Sequence, residues 1–265
     1  MNASELFKAG RLTEAIDAQI KEVKAQPGDH ARRLFLFELL AFSGDLERAR
    51  RQVDVLKFEQ PELEAAVQGY RRLLDAEQLR RRLFTEGLKP EFFSEPPEHL
   101  RLRLEAVNRL RENNQAEAAA TLAKADALVP TLRGKLNGKA FEGLRDCDDL
   151  FSSVLEVMAH GKYFWVPLEQ IAMLAMKPPS VPRDLLWFPA RLDLHDGASG
   201  SVFLPTLYPN SHEHPDDQIK RGMQTDWKQA EGGPTLGVGA REFLVGDDSV
   251  ALLNWQELAL DEPAT

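Results

Sequence analysis

The 265-residue chain has a single cysteine, Cys147, so it forms no internal disulfide and builds no cysteine-rich zinc site. One unpaired cysteine agrees with a reducing compartment. No apolar run approaches the roughly 20 residues that cross a bilayer. Met1 to Gly10 lacks the long apolar centre of a signal peptide, so the sequence is expected to act in the cytoplasm. Basic charge is scarce in the second half. Residues 1–130 hold 21 basic and 22 acidic side chains, whereas residues 131–265 hold 12 and 20. An acidic half lacks the positive patches that phosphate backbones require, which excludes a nucleic-acid surface. The one dense basic spot, Arg80-Arg81-Arg82, reads as the solvated face of a helix.

The first half contains a repeat. Gly10-Arg-Leu-Thr-Glu-Ala-Ile16 resembles Gly44-Asp-Leu-Glu-Arg-Ala-Arg50, and Gly10 and Gly44 lie 34 residues apart. Leu12 and Leu46, Ala15 and Ala49, and Pro27 and Pro61 keep the same offset. That is the period of the tetratricopeptide repeat, a pair of antiparallel helices. Glycine supplies the left-handed turn between the helices, alanine lets them approach, and proline ends the unit. Asn113-Asn-Gln-Ala-Glu-Ala118 marks a third unit 103 residues after the first, with asparagine replacing glycine at the turn. The intervening slot holds a helix (Leu63, Val67, Tyr70, Leu74) and an irregular insert from Lys89 to Pro97. Such arrays hold a peptide or helix in a groove, and Arg33 and Phe37 are the groove residues singled out here.

From Gly134 the pattern changes. Asp148-Asp149 is placed to cap a helix running through Met158, and Gly161 to stop it. Lys162 to Val166 reads as a strand, followed by a short helix from Pro167 to Pro178. Leu186, Phe188, Ala190, Leu192 and Leu194 alternate with polar or bulky partners and predict a half-buried strand. The turn at His195 to Gly200 joins it to Val202–Tyr208 in a hairpin. Pro189 and Pro205 place these strands at an edge or bulge. Two more strands are expected at Gly237–Val245 and Val250–Leu253. The predicted fold class is α+β in two parts. Residues 1–130 form all-α tetratricopeptide-like hairpins. Residues 131–265 form a small antiparallel sheet or partial barrel with one or two helices. All four tryptophans fall in the second part, and Trp187 and Trp227 are its candidate partner-binding residues.

Catalytic motifs are sparse. His212-Glu213-His214 with Asp216-Asp217 is a fragment of a metal site with nothing to complete it. Asp146, Asp148 and Asp149, and Asp247 with Asp248, are explained by capping and turns. No cofactor or metal is expected. The alternative reading is a hydrolase or metal-dependent enzyme sited on the acidic half. It requires two or more of His195, His212, His214, Asp247 and Asp248 to converge in a pocket.

Several stretches together carry a resemblance. They are Leu6–Pro27, Leu39–Pro61, Phe141–Asp149, Gly161–Pro167, Leu186–Ala190, Phe203–Tyr208, Thr225–Trp227 and Gly239–Asp248. They resemble the ImpE family, also called TagJ, accessory proteins of bacterial type VI secretion, along nearly the whole chain. The resemblance implies a cytoplasmic, non-enzymatic adaptor with no catalytic residues to carry over. Its implied partners are the small contractile-sheath subunit and the AAA+ ATPase that recycles contracted sheath. No nucleic acid or membrane partner is expected.

Overall fold

A computed structural model describes residues 1–262. Seven helices come first: α1 (Ala3–Lys8), α2 (Leu12–Ala25), α3 (His30–Phe42), α4 (Leu46–Asp54), α5 (Pro61–Glu86), α6 (Glu98–Arg111) and α7 (Gln115–Asp126). The three repeat turns fall where the spacing predicts. Gly10, Gly44 and Asn113 separate α1 from α2, α3 from α4 and α6 from α7, with φ of 82°, 81° and 62°. At Gly10 and Gly44 the lack of a Cβ matters twice. The backbone is left-handed, and a Cβ would stand 2.1 Å from Gln218 or His212, respectively.

Local signals fix the helix ends. Asn2 and Glu5 form a capping box on α1, and Asp29 and Asp45 cap α3 and α4. Pro61 opens α5, whose last turn closes on left-handed Gly87. This 26-residue helix packs against α4, α6, β4 and β5. The Lys89–Pro97 insert that follows serves the other half. Glu91 forms a parallel bridge to Phe164, donating to Tyr163 O at 2.8 Å and accepting from Trp165 N at 3.1 Å. It thereby covers a sheet edge that would otherwise offer unpaired backbone.

The second half contains β1 (Arg133–Leu136), β2 (Lys139–Glu142), β3 (Leu144–Asp146), β4 (Val154–Ala159), β5 (Lys162–Pro167), β6 (Ile171–Met176), β7 (Trp187–Leu194) and β8 (Ser199–Pro205). A short α8 (Asp217–Lys220) precedes β9 (Thr225–Gln229), β10 (Thr235–Gly239), β11 (Glu242–Val245), β12 (Asp248–Ala251) and β13 (Glu257–Leu260). Eight strands form one antiparallel sheet in the order β2-β1-β13-β6-β7-β8-β4-β5. A three-stranded sheet, β12-β11-β3, and a two-stranded ribbon, β10-β9, complete the half.

Four local expectations give way. The helix expected through Met158 is strand β4, buried at every position, so its Val-Leu-Glu-Val-Met-Ala lacks the alternation of a one-sided strand. Asp148 does cap backbone, at Leu150 and Phe151, but only for a turn. The helix expected from Pro167 shrinks to a 3-10 turn at Leu168–Gln170, and Ile171–Met176 pairs as β6 between β13 and β7. The strand expected over Gly237–Val245 is broken at Gly239, whose φ is 100°, and its two pieces join different sheets. Pro189 and Pro205 lie inside the sheet order, at points beyond the registered pairing with β6 and with β4. Among the described residues no helix is long and apolar enough to cross a membrane.

The two sheet faces have different partners. Leu155 and Val157 of β4 and Phe188 and Leu192 of β7 join a core closed by Phe243, Leu252 and Trp255. Val154, Met158, Tyr163, Trp165 and Trp187 instead join the core of the helices. The first helix of each hairpin, together with α5, therefore packs against the second half.

Candidate partner interface

Each of those helices contributes one prominent contact to the junction. On α1, the Phe7 ring lies under the Arg221 guanidinium at 4.5 Å. On α3, Phe37 stacks on Trp187, with centroids 6.3 Å apart and planes 23° apart. On α5, Arg80 makes a forked pair with Glu156 at 2.7 and 2.9 Å and donates to Leu207 O at 2.7 Å. On α6, Arg103 donates to Ser153 Oγ at 2.9 Å, Ser152 Oγ at 2.8 Å and Asp149 O at 2.8 Å, and it pairs with Asp126. The face that lines the groove in open repeat arrays is thus filled by the protein's own second half.

Arg80 therefore departs from the solvated-face reading, being 5% exposed, and so does half-buried Arg81, which pairs with Glu77 and donates to Gly44 O at 2.7 Å; Arg82 keeps that character beside Glu86. A buried guanidinium needs a partner carboxylate, and Glu156 serves two. Arg241 also pairs with Glu156, and reaches Asp146 Oδ2 at 3.0 Å. Tyr208 OH donates to Asp146 at 2.6 Å, and Tyr163 OH to Glu156. Two cations face two carboxylates, and the two arginines hold the Glu156 carboxyl below its usual range despite burial. Burial pushes Asp146 up to about 6, with Arg241 and Tyr208 opposing. Burial and the charge of Asp146 push Asp148 up to about 8, although its oxygens accept backbone N–H groups from Leu150 and Gly237.

The segment between β8 and β11 runs along the repeat turns. His212 lies on Gly44, Gln218 on Gly10, and Gly233 against Gln115 beside the Asn113 turn. Asp217 Oδ2 accepts Leu12 N at 2.9 Å and caps α2, whose own N-cap residue, Arg11, makes no side-chain cap. The repeat motifs hold the turns, and this segment clasps them.

The residues singled out for catalysis are dispersed. His212 is partly buried on the Gly44 turn, where burial lowers its pKa. His214 faces Asp226 at 3.5 Å, Asp248 pairs with Lys139 at 2.7 Å, and His195 Nε2 is buried without a partner. Among the described residues no group of three or more His, Cys, Asp or Glu side chains is placed to hold a metal. One relay does form: His99 contacts Ser153 Oγ at 3.1 Å and Glu169 at 2.6 Å. Ser153 and His99 are both buried, and Arg103 donates to the same hydroxyl, so the relay fastens α6 to the sheet.

Of the four residues singled out for partner binding, Phe37 and Trp187 are 1% and 3% exposed and contact each other. A partner does not reach them in this arrangement. Arg33 is half-buried on α3, bonded to Pro27 O and Gln52. Trp227 remains 38% exposed on β9, its ring 5.8 Å from Tyr208.

A cleft of about 240 Å³ opens between α5–α6 and the face of the β9–β10 ribbon that carries Lys228, Leu236 and Val238; Trp227 alternates onto the other face, beside Tyr208. Phe84 and Leu110 line it from the helices, Leu236 and Val238 from β10, and Phe151 from the turn before β4. Arg111 and Lys228 are its exposed cations. No periodic signal marks this cleft, because its walls come from segments more than 100 residues apart.

The fold is thus a tetratricopeptide-like array whose groove is closed by a β-rich half. The comparisons with known proteins place it more narrowly. The ImpE protein family matches residues 138–259. The type VI secretion system accessory component TagJ of Pseudomonas aeruginosa is 35% identical over 262 residues, covering 97% of this chain and 90% of that protein. The chain belongs to the ImpE/TagJ family. The crystal structure of protein VPA1032 from Vibrio parahaemolyticus superposes with a TM-score of 0.90 at 26% identity, over 98% of this chain and 97% of that one.

Proposed function

We propose that the protein is a non-enzymatic, cytoplasmic adaptor of the type VI secretion apparatus, with a helical part (1–130) and a sheet part (131–265) acting as one body. Its partner is a short amphipathic helix of the small contractile-sheath subunit, and holding that segment assists sheath handling by the recycling ATPase. The similarity to the accessory component TagJ supports the system, and the family resemblance supports the sheath as partner. The observation that carries the binding mode is the cleft between α5–α6 and the β9–β10 ribbon. Its walls are apolar, and its two exposed cations, Arg111 and Lys228, stand out in a chain of net charge −9. An apolar helix face flanked by a carboxylate matches both features. Trp227 projects from the opposite face of the ribbon, toward Tyr208, and both it and Arg33 lie outside this surface.

The test is calorimetry with a synthetic peptide of the sheath-subunit helix. Leu110→Glu and Leu236→Ala should each weaken binding about thirtyfold, as loss of a true anchor does. Binding indifferent to both would exclude the cleft.

A further inference from the structure

The ribbon that walls the cleft is attached in an unusual way. The N–H groups of Thr235, Gly237 and Gly239 point away from β9, where a neighbouring strand would normally accept them. Here three side chains do: Asp149 Oδ2 at 2.7 Å, Asp148 Oδ2 at 2.7 Å and Ser211 Oγ at 2.8 Å. Alternate N–H groups of β10 thus end on side chains, and only at its two ends do backbone groups join in, Thr235 O accepting from Asp149 N and Gly239 O from Tyr208 N, each at 3.0 Å. Beyond β10, β9 has no further strand neighbour among the described residues, and every residue of it but Thr225 is exposed. The ribbon's tip rests on the start of α7, where Gly233 approaches Gln115.

The cleft is also small for its proposed occupant. About 240 Å³ takes one large side chain and lies below the range of roughly 300–1,000 Å³ typical of ligand clefts. A docked amphipathic helix presents several anchors along one face. The α5–α6 wall is built into the core, through Leu83, Leu100 and Val107. The ribbon wall is thinner: β9 is exposed, and apart from Leu236 and Val238 the ribbon is held to the body by those hydrogen bonds.

The geometry points to the β9–β10 ribbon as a strap that swings from the body to admit a partner to the cleft. This rests on the cleft being the binding site, and the experiment separates the two ideas. The strap can be locked reversibly at its tip. A Cβ at Gly233 would stand 3.1 Å from Gln115 Cβ, close to the separation of about 3.5–4.5 Å across a disulfide. The Gln115→Cys/Gly233→Cys pair, made with Cys147→Ser, is therefore suited to oxidative closure. The probe is anilinonaphthalene sulfonate, an anionic dye with two aromatic groups whose fluorescence rises in apolar sites.

In stopped flow, the oxidised protein should take up the dye at least tenfold more slowly than the reduced one, with the rate restored by dithiothreitol. Equal rates in the two forms would overturn the strap. Leu110→Glu in the reduced protein should abolish the signal; dye uptake indifferent to it would overturn the cleft as the site. A second measurement needs no engineered cysteine. Hydrogen exchange in the unmodified chain should be at least tenfold faster at Thr235, Gly237 and Gly239 than in β6–β8, and exchange at one common rate would contradict a moving strap.

Discussion

The groove face of the helical array and the cleft beside it are built on the same helices, yet they meet different environments. Along the groove face, Phe7, Phe37, Arg80 and Arg103 each find a partner from the sheet half, and charged groups there are paired and buried. At the cleft, Phe84 and Leu110 face solvent-filled space and a ribbon held by side chains. The difference teaches that a repeat signature predicts helical hairpins without telling which face remains free. Here the customary binding face has become an internal junction, and the proposed binding site lies at its margin.

The comparison breaks most severely at Glu156. Glu156→Ala leaves Arg80 and Arg241 buried without their shared carboxylate and should cost about 3–5 kcal/mol, measured by urea unfolding. Glu38 gives a pH-dependent effect at the same junction. Burial raises its pKa to about 7, against the pull of Arg183 from the loop before β7. Its protonated form is favoured by folding, so this contribution is full below about pH 4.5 and is lost as pH rises through 7. Stability should fall by up to about 3 kcal/mol across that window. Glu38→Gln should flatten the profile, and an unchanged slope would show that the carboxyl is not held neutral.

On the open side the effects are on binding. Leu110→Glu should weaken the sheath-helix peptide by about 2 kcal/mol in calorimetry, while the urea midpoint stays within experimental scatter. The smallest effect concerns the clasp. Asp217→Ala removes the cap on α2 and should cost about 1 kcal/mol, with faster amide exchange confined to the start of that helix.

The sequence made the helical half legible through its turns, because Gly10, Gly44 and Asn113 require a left-handed backbone that few residues adopt. The β7–β8 hairpin was legible through alternation. Strand β4 was not, since burial on both faces removes the alternation that distinguishes a strand from a buried helix. Arg80 was misread because helical periodicity places it on a face without revealing what that face meets. Trp187 and Trp227 stand out among the four tryptophans in the sequence, but the cleft depends on Leu110 and Leu236, whose proximity no local pattern encodes.

The central claim is that both halves form one body through the filled groove. All four tryptophans lie in the sheet half, and the long helices lie in the other. Urea unfolding followed by tryptophan fluorescence therefore reports the sheet half and, through Trp165 and Trp187, its junction with the helices, and far-ultraviolet circular dichroism reports chiefly the helices. Coincident transitions with one midpoint and one slope are expected. Two separated midpoints, with the helical signal persisting after the tryptophans are exposed or the reverse, would contradict the account.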